Sequence, residues 1–249
     1  MSKSKRYAII TPYHGEEKWL LERCIESVRA QTIPADQFLI ADGFPQDWID
    51  REPVRHIKLD REHSDYGNTP RTIGALLAVS EGYDAIGLLD ADNWLERSHV
   101  AKCVEASMRN ENCDYVIARR NLCRPDGSVL NLADHPISKH VDMNCYFLLP
   151  GSYYMLLHLA LIPRELSILG DRLLLQAFRS EGLNAEVVEE ITVNYHCLWQ
   201  FAYDALGETP PPNAKPTVFS QQFKDWLDAK TPRELQIIQN RCGSPFTIR

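Results

Sequence analysis

The sequence predicts a single α/β domain built on a mostly parallel central sheet with helices on both faces. Three observations carry this. Short apolar runs alternate with helix-patterned stretches over the first 120 residues, as expected of strands joined by helical crossovers. The apolar runs end on polar or turn-forming groups, Thr11-Pro12-Tyr13, Asp42-Gly43 and Asp90-Ala91-Asp92. The chain has 249 residues, 44% hydrophobic and 24% charged, enough to bury a core without staples and close to the average for globular chains.

Each element has its own signal. Tyr7-Ala8-Ile9-Ile10 reads as a buried strand ended by Thr11-Pro12. Residues 16–31 read as a helix, with Leu20, Leu21, Cys24, Ile25 and Val28 on one stripe. Phe38-Leu39-Ile40-Ala41 is a second strand and His56-Ile57-Lys58-Leu59 a third. Asn68 or Thr69 caps a helix with Pro70 in its first turn, running to Ser80 and stopped by Gly82. Residues 85–89 form the strand that delivers Asp90-Ala91-Asp92. Ser98 caps a helix to about Asn110, residues 115–118 form a strand, and Pro125-Asp126-Gly127 signals a hairpin turn. Residues 159–162 read as a strand, 172–180 as a helix closed by Gly182, and 186–193 as a strand leading to Tyr195-His196. Pro210-Pro211-Pro212 marks an extended stretch, and Thr231-Pro232-Arg233-Glu234 has the pattern of a capping box.

Lys plus Arg number 27 against 34 Asp plus Glu, a net charge of −7. That balance argues against a nucleic-acid binder and against attachment to an anionic membrane by charge alone. The seven cysteines, Cys24, Cys103, Cys113, Cys123, Cys145, Cys197 and Cys242, contain no C-x-x-C pair, which favours reduced, buried thiols over zinc or disulfides. The basic start, Met1 to Arg6, is followed by only four apolar residues, too few for a secretory signal. The apolar window at residues 145–162 is interrupted by Pro150, Gly151 and His158, and is read as core rather than a span. The expectation is a cytoplasmic chain with no transmembrane segment. The minority reading places that window at the cytoplasmic face of a membrane, against a lipid-linked substrate.

Asp90 and Asp92 lie two apart past a strand, so both carboxylates point one way. Hard oxygen ligands suit Mg²⁺ or Mn²⁺ bridging to phosphates, although the same residues also serve as turn and helix caps. Asp42 ends a neighbouring strand and brings a third carboxylate to the crevice where such sheets bind ligands. His196, near the end of a late strand, is a candidate third metal ligand. Arg119, Arg120 and Arg124 beside His135, His140 and His158 read either as a solvated face or as a site for an anionic acceptor.

The ordered segments IITPYHGEEKWLLERCIESVRAQT, FLIADGFPQD and YGNTPRTIGALLAVSEGYDAIGLLDADNW resemble glycosyltransferase family 2 enzymes of the GT-A fold, a resemblance running from about Tyr7 to Trp199. It includes the S-x-x-x-Q-T ending at Ser27, Gln31 and Thr32. It implies a metal-dependent transfer of sugar from a nucleotide-diphosphate sugar to a saccharide or glycolipid hydroxyl, with Mn²⁺ or Mg²⁺ as cofactor and inversion at the anomeric carbon. Carried over by residue, Thr11, Pro12, Tyr13, Glu16, Asp42, Arg71, Asp90 and Ala91 bind the donor, Asp42 at the base and Arg71 near the diphosphate. Asp90, Asp92 and His196 hold the metal. Asp171 in LGDRLLLQAFRSEG is the general base. Three positions depart from the family: Tyr13-His14-Gly15 replaces an aromatic-Asn pair, Ala41-Asp42 has one acid where two are usual, and Gly170 stands where a Glu precedes the base. The implied division is a transferase domain at 1–199, its nucleotide half 1–95 and acceptor half 96–199, with 200–249 as an extended segment and helices packing on it. The alternatives are a nucleotidyltransferase of related fold, disfavoured by the single glycine between Thr11 and Glu16, and an inactive carbohydrate- or partner-binding domain.

Overall fold

A computed structural model describes residues 4–133, 135–217 and 221–246; Met1 to Lys3 of the basic start lie outside them. An eight-stranded sheet runs through the chain in the order β3-β2-β1-β4-β7-β6-β8-β5. Its strands are β1 (Tyr7–Tyr13), β2 (Asp36–Ala41), β3 (Arg55–Lys58), β4 (Ala85–Leu88), β5 (Trp94–Leu95), β6 (Tyr115–Cys123), β7 (Tyr146–Leu148) and β8 (Ala185–His196). The β1–β2, β1–β4, β2–β3 and β6–β8 pairs are parallel. β7 and β5 pair antiparallel with their neighbours. The helices are α1 (Lys18–Arg29), α2 (Asn68–Ser80), α3 (His99–Ser107), α4 (Leu156–Leu161), α5 (Gly170–Ser180), α6 (Gln200–Asp204), α7 (Gln221–Asp228) and α8 (Pro232–Arg241).

The sheet is covered on both faces, and β1 shows how. A Cβ built on Gly74 of α2 would lie 3.0 Å from the Ile10 methyl, whereas Gln37, which donates to the Thr11 hydroxyl, also reaches the Cys24 thiol of α1. Adjacent residues of a strand face opposite ways, so α2 and α1 sit on opposite faces. β1 continues past the expected break through Pro12, which pairs with Ile40 of β2. Proline is tolerated because the alternate backbone groups of β1 face β4, which stops pairing at Ile10, so no ladder bond is lost there.

The S-x-x-x-Q-T ending has a structural cause. The Gln31 amide donates to the Ser27 and Glu96 carbonyls (2.9 and 2.8 Å) and accepts from the Val100 N–H (3.0 Å). One side chain thereby ties the end of α1 to β5 and the start of α3. Phe223 of α7 and Ile238 of α8 join the main apolar cluster with the strands, so the C-terminal helices share its core.

Some local readings are corrected. Residues 159–161 are helical and Ile162 caps that helix, so no strand forms: Leu156 and Leu159 bury one face of α4 while Leu157 and Leu161 are exposed, a helical period hidden in a run of apolar residues. Gly67, not Asn68 or Thr69, occupies the cap position of α2, and the Asp65 carboxylate accepts from the Thr69 N–H at 2.8 Å. Ser98 holds the α3 cap position without a side-chain bond. The Pro125-Asp126-Gly127 turn forms as expected, with the Arg124 N–H on the Ser128 carbonyl at 2.8 Å. The capping box at Thr231 and Glu234 is made in both directions. Among the described residues, no helix is long and apolar enough to cross a membrane.

Candidate active site

The carboxyl ends of β1, β2 and β4 open onto one cavity of about 1210 Å³. Its walls include Pro12, Tyr13, Glu16, Asp42, Arg71, Asp90, Asp92 and Asp171, eight of the eleven residues the sequence singled out. Thr11, Ala91 and His196 do not line it. The Thr11 hydroxyl accepts from Gln37 at 3.0 Å in the interior, and Ala91 is buried with Tyr13, Leu21 and Ile25.

At one end, the Asp42 Oδ1 accepts from the backbone N–H of His63 (3.1 Å) and lies 2.6 Å from its Nδ1. Tyr13 is 2% exposed and locked, its hydroxyl 2.7 Å from His56 Nε2 and accepting from the Gln46 N–H at 3.0 Å. The free ring at this end is Tyr66, 64% exposed and on the cavity wall. It sits in a segment where Ser64, Tyr66 and Gly67 all have positive φ (52°, 58° and 77°), and strained backbone of this kind gathers at binding sites. A Cβ on Gly67 would lie 3.1 Å from the Pro12 ring, so glycine lets this segment cross β1 closely.

In the middle, both oxygens of Asp90 are occupied. Arg71, 2% exposed, pairs with Oδ1, and the Asn144 amide donates to Oδ2 at 3.1 Å. The Asp90 N–H donates back to Asn144 Oδ1. Arg71 also donates to Asn68 at 3.2 Å. Asp92 differs. Its carbonyl accepts from Arg23 at 2.9 Å, while its carboxyl is pushed up to about 7, first by burial and then by the Asp90 charge, with Lys215 opposing. Burial and crowding of like charge both favour a protonated acid, unless a cation arrives.

His196 lies beside this motif but outside the cavity. Its N–H donates to Asn93 Oδ1 at 2.7 Å, and its ring meets Trp19 edge-on at 6.2 Å. Tyr195 and Cys197 line the cavity, so strand alternation turns His196 to the other face. Neither ring nitrogen has a hydrogen-bond partner among the described residues. Burial, then the charges of Arg23 and Lys215, hold the imidazole down to about 4 and therefore neutral.

At the far end, Asp171 stands in the first turn of α5. One carboxylate oxygen accepts from the Arg172 N–H at 2.7 Å and the other lies 3.5 Å from His140 Nε2. Burial, then the charge of Asp142, pushes the carboxyl up to about 7, opposed by Arg172 and Arg120. A side chain at position 170 would require Asn68, whose amide donates to the Ser167 carbonyl, to move, because a Cβ there would lie 2.8 Å from Asn68 Oδ1. This accounts for glycine in place of the family's glutamate.

His140, Asp142 and Asp171 bring their ligating atoms within 4.8 Å of one another, the one such group of three among the described residues. The predicted trio of Asp90, Asp92 and His196 makes no group of that kind. Asp142 is already engaged, however: Arg120 pairs with Oδ2, and the N–H and amide of Asn144 donate to Oδ1 at 3.0 and 2.7 Å. The sequence reading missed Asp142 and Asn144. Their only local signal is the Asp-x-Asn spacing, which makes Asp142 the cap of the 3-10 turn Met143–Cys145. The arginines weighed for an anionic acceptor are each paired with an acid, Arg119 with Glu189 at 2.6 Å, Arg120 with Asp142, and Arg124 with Glu208 at 2.6 Å. The solvated-face reading fits Arg119 and Arg124, whereas Arg120 is buried against Asp142 on the cavity wall.

A sequence profile described as "Glycosyl transferase family 2" matches residues 8–159. No curated protein sequence matches the chain. Among solved structures, Staphylococcus aureus TarS residues 1–349 in complex with UDP superposes with a TM-score of 0.60 at 11% identity, over 95% of this chain and 70% of that one. The same protein in complex with UDP-GlcNAc gives 0.60 at 12% identity, over 95% and 71%. Full TarS gives 0.53 at 12% identity, with 42% of its length covered. These likenesses establish a shared GT-A-type fold.

Proposed function

The chain belongs to glycosyl transferase family 2, and from that premise we propose that it moves a sugar from a nucleoside-diphosphate sugar to an acceptor hydroxyl, with a divalent cation and inversion at the anomeric carbon. It is a glycosyltransferase, which sets the nucleotidyltransferase alternative aside. The observation that carries the finer reading is the order of acids across the sheet: Asp42 follows β2, Asp90 and Asp92 follow β4, and Asp171 lies beside β7, where the Tyr146 hydroxyl donates to its carbonyl, in the strand order β2-β1-β4-β7; all four line one cavity. A nucleotide sugar has the same order of parts, base, diphosphate and anomeric carbon. The UDP and UDP-GlcNAc bound in TarS support uridine as the base.

The residues present fit a cation at Asp92. Its carboxyl is buried beside Asp90 and raised to about 7, a state that a divalent ion relieves, and Mg²⁺ or Mn²⁺ needs only one or two carboxylates when phosphates and water complete the shell. Asp90, held by Arg71 and Asn144, is better suited to orient the ribose and the Asp92 turn. The His140, Asp142 and Asp171 group fits a cation less well, because Arg120 already neutralises Asp142. The neutral His196 ring would join Asp92 only after turning towards the cavity. When bound, the ion offsets charge on the departing diphosphate.

The rest falls to the chain itself. Tyr66 offers a face for the base, beside the Asp42 carboxylate. Asp171 accepts the proton of the acceptor hydroxyl, and its raised pKa near neutrality suits a general base. A base on the acceptor side serves a single displacement, which inverts the anomeric centre. The acceptor is assigned only as a saccharide or glycolipid hydroxyl. Thermal denaturation with nucleoside diphosphates, their sugars and Mn²⁺ tests the reading. Stabilisation by a nucleoside diphosphate, with release of that diphosphate during turnover, supports it. No stabilisation by any of them, or release of pyrophosphate, overturns it.

A further inference from the structure

We propose that Lys215 is a phosphate-binding residue of this cavity, closing over the diphosphate from the C-terminal segment; the inference rests on the donor reading above. Lys215 lies beyond residues 8–159, where the family profile matches, in a stretch whose sequence showed only an extended run. The fold brings it back. Its N–H donates to the Leu198 carbonyl at 2.6 Å and its carbonyl accepts from the Gln200 N–H at 2.9 Å. A parallel bridge joins it to Trp199. Its ammonium lies 5.7 Å from the Trp199 ring centre, and both side chains face the cavity. The backbone is thus pinned while the long side chain stays free.

The charges around it identify the ligand chemistry. Of the cations on the cavity wall, Arg71 is consumed by Asp90 and Arg120 by Asp142. Arg172 flanks Asp171 at the far end. Lys215 forms no ion pair with a carboxylate among the described residues, yet its charge reaches Asp92 and His196. It is therefore the uncommitted cation beside the carboxylate that would hold the metal. A nucleoside diphosphate carries more negative charge than one divalent ion cancels, and an adjacent ammonium supplies the remainder as a point charge. The Trp199 face keeps the ammonium over the cavity rather than in bulk solvent.

Calorimetric titration of the full chain with uridine, UMP and UDP, each in EDTA and in Mn²⁺, tests this. For Lys215→Met, UDP affinity is expected to fall by about tenfold, the loss of one charge-assisted contact, while uridine affinity is unchanged. Lys215→Arg restores most of the UDP affinity, and Lys224→Met, an exposed control of equal charge change on α7, leaves it as in the wild type. UDP affinity unchanged in Lys215→Met overturns the inference alone. So does an equal loss for uridine and UDP, which would mean that Lys215 shapes the segment rather than binding phosphate. If the wild type binds neither UDP nor any other nucleoside diphosphate, the donor reading itself fails first.

Discussion

Asp171 is expected to set the acid limb of the rate, and Asp142 to set where that limb lies. With the Asp171 carboxyl at about 7, a base that must be ionised loses about tenfold in rate for each pH unit below that value. The turnover number with donor and cation saturating is the quantity to follow, because a bound cation keeps Asp92 ionised and removes its titration from the profile. Asp142→Asn changes the limb predictably. The ligating atoms of Asp142 and Asp171 lie within 4.8 Å, so their unscreened repulsion is at least about 3.5 kcal/mol at an effective dielectric near 20. Solvent in the open cavity and the Arg120 partner both reduce this. Removing the Asp142 charge also frees Arg120 to act on Asp171 in the same direction. The midpoint should therefore move down by about one to two units, each unit being about 1.4 kcal/mol. Asparagine can still accept from Asn144, so the loop geometry is retained. A wild-type limb at pH 4–5, or a limb that Asp142→Asn leaves in place, would refute this account of the base. Asp171→Asn should abolish transfer while donor binding, read by calorimetry, survives.

Three other outcomes follow from the geometry. Asp92→Asn should eliminate the effect of Mn²⁺ on donor binding yet stabilise the cation-free protein. The folded pKa of Asp92 is raised to about 7, so its penalty is absent near pH 4 and full above pH 7. A discounted gain of about 1–2 kcal/mol, or roughly 2–8 °C in melting temperature for a chain of this size, should appear only at the higher pH. Arg71→Met should cost about 2 kcal/mol in a denaturant titration, less than a fully buried pair would, because the Asp90 side chain is 34% exposed; the double variant with Asp90→Asn should recover part of the loss. Gly67→Ala should lower stability by about 1–2 kcal/mol and weaken nucleoside binding, since the new methyl meets Pro12 in a positive-φ backbone.

Much of residues 1–95 was legible because the signals there are local. An apolar run ending on an acid places that acid at the mouth of a parallel sheet, and this located Asp42, Asp90 and Asp92 before any coordinates. Gln31 was visible as part of a pattern, and the structure supplies its cause. Residues 96–199 were less legible. Asn144 contacts Asp90 across 54 positions, and residues 124–145 carry no period that announces which way a side chain points. His196 shows the limit of the strand-end rule: the spacing placed it next to the motif, but the parity of β8 turned its ring to the opposite face. Residues 159–162 failed for a different reason. A continuous apolar run has no contrast from which to read a period, and packing against α2 decided in favour of helix.

Asn144 gives the chain an epistatic joint. One amide nitrogen donates both to Asp90 and to Asp142, so the carboxylate proposed to orient the donor and the one proposed to tune the base share a single support. Substitutions at these two acids should not add, because whichever is lost releases Asn144 to re-aim towards the survivor. Directed evolution towards a new acceptor, working on residues around Asp142, would thereby disturb donor handling as well. Variants that hold position 144 fixed form the part of sequence space in which the two specificities can be changed one at a time.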